Sequence, residues 1–281
     1  MKTAFVNGEF LPLENARVSV LDRGFLFSDS VYEVVPFYAG RGFRLNAHLE
    51  RLERSLALLR IVNPYERARW HEIIAELIEA NGGGDLALYI QVTRGAPERR
   101  DHRIPEDIEP TVVAFCQSRA PVDPAVLEQG IAAITHEDTR WRYCTIKSTS
   151  LLANVLAADD ARTRGASEAL MVRDGAVQEG TSSNVFAVID RRLVTPALRD
   201  TILPGITRAA VLELAERDDI DHAEIETLSP AALRSASEIW VTSSIREIFP
   251  VTTLDGETVG TGKPGPVWTR MQTALQAMAH D

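Results

Sequence analysis

Apolar residues along this chain keep changing period, alternating in short runs and then recurring every third or fourth position. Only a fold that mixes sheets with helices accommodates both patterns. Up to residue 45 the runs are short and punctuated by turns. Asn7-Gly8 is a tight hairpin signal, residues 17–21 and 31–37 read as strands, and the second strand closes through Ala39-Gly40-Arg41-Gly42 onto residues 43–45. Two helices follow. Residues 46–60 set Leu49, Leu52, Leu56 and Leu59 on one stripe, and residues 66–80 do the same with Trp70, Ile73, Ile74, Leu77 and Ile78 before a Gly-rich stop at 81–84. Residues 86–93 and 111–116 read as buried strands around a polar, Arg-rich segment at 94–110.

Residues 117–124 hold two prolines and no periodicity, the strongest linker signal in the chain. They divide it into a small N-terminal α/β domain (residues 1–116), a linker (117–126) and a larger C-terminal α/β domain (127–281). In the second domain residues 130–135, 168–173, 184–189, 193–195, 224–228 and 238–242 read as strands. Residues 150–162, 208–216 and 264–279 read as helices, the first with Leu151, Leu152, Val155 and Leu156 inward. The expected fold class is therefore α/β, two-lobed, with a ligand site in the cleft between the lobes.

Composition removes several functions. With 45% hydrophobic and 25% charged residues, the 281-residue chain has material for a sizeable core. Its net charge of −10 offers no general positive field for nucleic acid or anionic lipid. No apolar run approaches the ~18 residues of a membrane span, and the first residues lack a signal-peptide core. The two cysteines, Cys116 and Cys144, have no metal or redox spacing, so a reduced, cytoplasmic chain is expected.

Among the 30 basic residues only Lys2, Lys147 and Lys263 are lysine. Lys2 is terminal and Lys263 lies in a Gly-Lys-Pro-Gly turn, which leaves Lys147 as the lone internal amine. Arginine serves wherever positive charge suffices but cannot become a neutral nucleophile near neutral pH, whereas a desolvated lysine can. The bland alternative is an arginine-preferring proteome. Two segments look like phosphate cradles. One is Leu203-Pro204-Gly205-Ile206-Thr207-Arg208, opening a helix; the other is Thr242-Ser243-Ser244, leaving a strand. Taken singly, they read as an ordinary N-cap at Thr207 and an ordinary strand-to-loop exit at Ser243-Ser244. Glu179-Gly180-Thr181-Ser182-Ser183-Asn184 adds an acid beside a glycine, or else a plain surface turn. Lysine, acid and cradle together are what pyridoxal 5′-phosphate requires: an amine for a Schiff base, a carboxylate for the pyridine nitrogen, and N–H groups for the phosphate. Walker A, H-E-x-x-H and G-x-S-x-G motifs are absent from the sequence.

Several segments carry a family resemblance: residues 22–34 (Asp22-Arg23-Gly24 through Tyr32-Glu33-Val34), His48-Leu49-Glu50-Arg51-Leu52, Gln91-Val92-Thr93-Arg94-Gly95, Cys144-Thr145-Ile146-Lys147-Ser148, residues 179–186 and Gly205-Ile206-Thr207-Arg208. In order and spacing, nearly end to end, the chain resembles the fold type IV pyridoxal-phosphate enzymes, and within them the bacterial D-amino acid aminotransferases. The resemblance implies Lys147 as the Schiff-base lysine and Glu179 as the pyridine-nitrogen partner. It also implies Arg51, Ile206, Thr207, Ser243 and Ser244 around the phosphate, and Leu203 against the ring.

The same resemblance implies a trap for the substrate carboxylate, built from Tyr32 and an R-x-H pair, Arg100 and His102, the pair coming from the neighbouring subunit of a homodimer. The loop at 94–102 is one residue longer than the family pattern, so Arg99 stands as the alternative to Arg100. The implied reaction is ping-pong transamination between a D-amino acid such as D-alanine and 2-oxoglutarate or pyruvate. Branched-chain L-amino acid aminotransferase and 4-amino-4-deoxychorismate lyase share the fold and are the competing enzyme readings, with a non-catalytic pyridoxal-phosphate-binding module as the remaining alternative. His48, His71, His136, His222 and His280 receive no catalytic role.

Overall fold

The computed structural model describes residues 2–280 and divides into two compact units. One is the chain up to Ala120 together with Ile146–Ser150; the other is Pro121–Thr145 with Leu151 onward. Each mixes helices with strands, as the changing period requires.

In the first unit a hairpin, β1 (Thr3–Val6) and β2 (Glu9–Pro12), turns at Asn7-Gly8, both with positive φ. There follow α1 (Arg23–Phe27), β3 (Ser30–Tyr38), β4 (Arg41–Gly42), α2 (Leu45–Leu59), α3 (Arg67–Ala80), β5 (Leu86–Thr93) and β6 (Thr111–Ser118). The six strands form an antiparallel sheet in the order β2-β1-β6-β5-β3-β4. Leu49, Leu52 and Leu56 of α2 and Trp70, Ile73 and Leu77 of α3 join Phe5, Val35, Leu88 and Ile90 in one core. Each such leucine contributes about 1.5–3 kcal/mol by leaving water.

The expected strand at 17–21 does not form, and Val18 and Val20 are exposed. Instead Asp22 caps α1, its carboxylate accepting the Gly24 N–H at 2.7 Å and the Thr93 hydroxyl at 3.0 Å. A side-chain cap satisfies locally the donor that a strand would have to pair with a neighbour.

The second unit comprises α4 (Pro124–Gln129), β7 (Ile131–Glu137), α5 (Leu152–Thr163), β8 (Glu168–Arg173), β9 (Ala176–Gly180), β10 (Asn184–Ile189), β11 (Arg192–Pro196), α6 (Ile206–Arg217), β12 (His222–Ile225), α7 (Pro230–Arg234), β13 (Glu238–Ser243), β14 (Glu247–Leu254), β15 (Glu257–Thr258) and α8 (Pro266–His280). Its mixed sheet runs β12-β11-β10-β13-β14-β7-β8-β9, with β15 paired to β14. Part of the expected linker is thus regular structure, since Asp123 caps α4 by accepting the Ala125 N–H at 2.9 Å.

The packing of α5 corrects a second expectation. Leu152, Val155 and Leu156 are 72%, 59% and 59% exposed, whereas Ala157 and Ala161 are buried. The helix lies on the sheet through its small residues, which cluster with Ile134, Ala169 and Met171, and its larger apolar residues stay outside.

A third correction concerns Lys147. Its sequence position lies within the expected C-terminal domain, yet residues 146–150 pack with the first unit. The backbone explains this. The short β4 pairs only with Phe37 and Tyr38, leaving the start of β3 open on that side. There Tyr32 N–H donates to the Lys147 carbonyl at 3.0 Å, and Val31 and Ser148 form an antiparallel bridge.

Candidate active site

In the first unit the half-buried Lys147 sits above an aromatic column. Its Nζ is 4.3 Å from the Tyr32 ring centroid; Tyr32 stacks on Tyr89 at 5.7 Å and Tyr89 on Phe115 at 5.0 Å. Burial, reinforced by Tyr32, pushes the Tyr89 hydroxyl up to about 12, and Tyr89 donates to Gln91 Oε1 at 2.9 Å. The Lys147 N–H donates to Ser55 Oγ at 3.3 Å.

Ser55 belongs to a buried polar face of α2 that also carries His48 and Arg51, residues spaced three and four apart. Arg51 grips Glu33 with Nε to Oε1 at 2.8 Å and Nη2 to Oε2 at 2.9 Å. His48 Nδ1 meets Glu33 Oε2 at 2.7 Å. Burial works to raise the Glu33 carboxyl, but Arg51 and His48 together hold it well below the ordinary carboxylate range. Burial lowers His48; Glu33 opposes that, and Arg51 and Lys147 add to it. An ionised Glu33 accepts only, so Nδ1 is the donor, and His48 Nε2 is left buried without a hydrogen-bond partner.

The segment around Asp22 works as a brace. Asp29 accepts from Arg23 Nε at 2.7 Å and from Arg94 at 2.8 and 3.0 Å. Arg94 also donates to the Leu59 and Arg60 carbonyls that end α2. Arg100 and His102 lie in the loop between β5 and β6, both packed on Phe27 of α1.

In the second unit Glu179 lies on β9, 5% exposed. Oε1 accepts from Arg140 Nη1, and Oε2 accepts from the Leu203 N–H at 3.0 Å and Asn184 Nδ2 at 3.2 Å. Three bonds on about four lone-pair positions leave the carboxylate room for one more donor. Burial pushes this carboxyl up to about 6 against the opposing pull of Arg140. Arg140 is itself held by Asp138, at 2.8 and 2.9 Å, and Asp138 is braced by Arg173 at 3.1 Å. Asn184 also donates to the Leu203 carbonyl at 2.9 Å, which fixes the strand-like approach to α6.

Of the cradle residues, Ile206 and Thr207 are the first two positions of α6, both buried, and Gly205 takes the cap position with no side-chain bond to it. Thr207 therefore lies inside the helix and does not cap it. Ser243 ends β13, its Oγ accepting the Arg246 N–H at 3.2 Å, and Ser244 follows half-buried. Between the ladders of β10 and β14, Thr242 Oγ1 is buried without a hydrogen-bond partner. An uncapped helix start and an orphaned hydroxyl suit a phosphate; a buried carboxylate with an unused acceptor position suits a protonated ring nitrogen; and a half-buried amine suits an aldehyde. The residues fit pyridoxal phosphate.

Arg140, Asn184, Glu33 and His48 escaped the sequence reading. The pair Arg140 and Glu179 is separated by 39 positions, and nothing in periodicity links them.

The chain belongs to the class IV aminotransferases: the family profile described as amino-transferase class IV matches residues 30–254. Such enzymes depend on pyridoxal 5′-phosphate, which is the cofactor here. The chain is 39% identical over 278 residues to a D-alanine aminotransferase of Bacillus licheniformis, covering 98% of this chain and 96% of the relative. Among solved structures it resembles the Escherichia coli branched-chain amino acid aminotransferase, with TM-score 0.91, 27% identity and coverage of 98% and 93%. It also resembles the T.th. branched-chain enzyme complexed with N-(5′-phosphopyridoxyl)-L-glutamate, with TM-score 0.90, 26% identity and coverage of 99% and 94%. No helix among the described residues is long and apolar enough to cross a membrane.

Proposed function

We propose that the chain moves the amino group of a D-amino acid, D-alanine or a close analogue, onto a 2-oxo acid. The observation that carries the D preference is the 39% identity with D-alanine aminotransferase along nearly the whole chain, against 27% with the branched-chain enzyme.

In this reading Lys147 and Glu179 serve one coenzyme, with Arg51, Ile206, Thr207, Ser243 and Ser244 at its phosphate, Leu203 against its ring, and Tyr32, together with Arg100 and His102 contributed by the neighbouring subunit, at the substrate carboxylate. When bound, the coenzyme supplies an aldehyde carbon that takes up the substrate nitrogen and a ring that withdraws electrons. With the coenzyme bound, Lys147 Nζ would take the proton from the substrate α-carbon as base and afterwards return it as acid. Glu179, ionised above about pH 6, keeps the ring nitrogen protonated, and its bonds to Arg140, Asn184 and Leu203 fix its aim. Arg51, held along its Nε–Nη2 edge by both oxygens of Glu33, presents its charge without freedom to rotate. The tyrosine column under Lys147 restricts the amine's approach to one side.

We also place the enzyme as a cytoplasmic homodimer. Free, buried cysteines accord with a reducing compartment, and the exposed Leu152, Val155 and Leu156 of α5 are an apolar strip for a second copy.

The test is a donor screen of paired D- and L-amino acids with 2-oxoglutarate, following cofactor absorbance. Rapid conversion with D-alanine, abolished in Lys147→Ala, is the expected outcome. Productive turnover of L-leucine with D-alanine inert would overturn the D reading in favour of the branched-chain one.

A further inference from the structure

In the loop carrying the R-x-H pair, the side chains from Arg99 to Arg103 fall on two sides. Arg99, Asp101 and Arg103 line one groove, together with Pro64, Tyr65 and Ile104, and this groove-facing row is tied together, since Asp101 accepts from Arg103 Nη2 at 2.6 Å. Arg100 and His102 turn the other way, onto Phe27: the Arg100 guanidinium carbon is 4.8 Å from the Phe27 ring centroid and the His102 ring 5.1 Å. Arg100 and His102 thus share the Phe27 side while Arg99 lines the groove, so Arg100 and His102, and not Arg99 and His102, are set to face one ligand.

The backbone that sets this alternation is held by one buried side chain. Arg23, 4% exposed, donates from Nη1 to the Asp101 carbonyl at 2.5 Å and the Arg103 carbonyl at 3.3 Å, and from Nη2 to the His102 carbonyl at 3.4 Å. Its Nε is committed to Asp29, and its guanidinium carbon lies 4.9 Å from the Phe27 centroid. A planar fork can meet three consecutive carbonyls and a carboxylate at once; an ammonium cannot.

Resting on the D-amino acid reading above, we propose that α1 is the clamp of the substrate-carboxylate site: Arg23 and Phe27 are positioning residues that present Arg100, not Arg99, alongside His102 to the carboxylate. Stacking on Phe27 occupies one face of the Arg100 guanidinium and leaves its N–H edge for two parallel bonds to a carboxylate.

The experiment uses the holoenzyme and two readouts: steady-state kinetics with D-alanine and 2-oxoglutarate, and calorimetric binding of acetate as a bare carboxylate. Arg100→Ala raises the D-alanine KM about 100-fold, while Arg99→Ala stays within about 3-fold. Arg23→Gln and Phe27→Leu each raise KM and weaken acetate binding about 10-fold. In both, kcat and the cofactor's absorbance and affinity stay near parental values, and Phe27→Tyr restores the parental KM. Since Arg23 is buried and its loss also threatens the fold, Phe27→Leu at a half-buried position carries the test independently. The clamp is overturned if Arg99→Ala gives the large effect, if acetate affinity is indifferent to Phe27→Leu and Arg23→Gln, or if kcat and cofactor affinity fall in step with KM. If the parent ignores D-alanine while acetate binding responds as described, the donor reading falls and the clamp stands.

Discussion

The Arg140 guanidinium spans two carboxylates, bonding Glu179 through Nη1 and Asp138 through Nε and Nη2. The arginine is 6% exposed and the carboxylates 6% and 0%, so these charges, with Arg173 against Asp138, are balanced within the protein and not by solvent. Arg173 remains against Asp138, so removing Arg140 leaves Glu179 as a buried anion without its cation, which costs about 3–5 kcal/mol. Arg140→Gln therefore lowers the urea midpoint of the cofactor-free protein strongly and loosens the coenzyme, whereas Arg140→Lys recovers part of both. Unfolding curves and equilibrium titration with pyridoxal phosphate measure this; unchanged curves in Arg140→Gln would refute it.

The raised carboxyl of Glu179 has a pH consequence. A group whose folded value is pushed up, here to about 6 from 4.5, stabilises fully below its unfolded value, and that contribution is lost as pH rises through about 6. His48 is lowered by burial and acts in the opposite sense, so its contribution is lost as pH falls. Comparing the cofactor-free parent with Glu179→Gln across pH removes the histidine from the difference. The parent should lose about 2 kcal/mol relative to the variant between pH 4.5 and pH 7. A flat difference would mean that Arg140 offsets the whole of the burial.

Gly205 faces a side chain of the Glu179 network. Its φ of −67° suits any residue, but an added Cβ would lie 2.0 Å from Asn184 Oδ1. Asn184 would have to turn away, releasing both Glu179 and the Leu203 carbonyl. Gly205→Ala is expected to cost about 1–3 kcal/mol and to weaken coenzyme binding, with Gly205→Ala/Asn184→Ala costing less than the sum of the single changes. Additive effects in that cycle would separate the two residues.

The exposed strip on α5 predicts an assembly phenotype. Val155→Asp with Leu156→Ser should shift the sedimenting species from dimer to monomer at micromolar concentration while leaving the fold's circular dichroism intact. A dimer persisting at the parental affinity would move the interface elsewhere.

Much of this fold was legible where one face of a strand or helix is strictly apolar. Residues 86–93, 168–173 and 184–189 form strands with the expected limits, and the leucine stripe of α2 is buried at Leu49, Leu52 and Leu56. Strand β14 was not legible, because Pro250 interrupts its apolar run; it pairs opposite Trp240, and the register toward β7 slips between Val251 and Thr253. Helix α5 misled because its leucines cover no core, and burial falls to its alanines. At the site, Lys147 and Glu179 stood out because the chemistry demands rare residue types in a fixed setting. Their supports did not, since Arg140, Asn184, Glu33 and His48 act through contacts between distant positions that only the folded chain brings together.

Lys147 is held by β3, though the residues on either side of its five-residue segment belong to the other unit. A chimera of two homologues spliced near residue 120 would take the anchoring strand from one parent and the reactive amine from the other. Recombination at the most obvious seam in the sequence would thus separate the nucleophile from its mooring, and productive shuffling would have to exchange residues 146–150 together with the N-terminal piece.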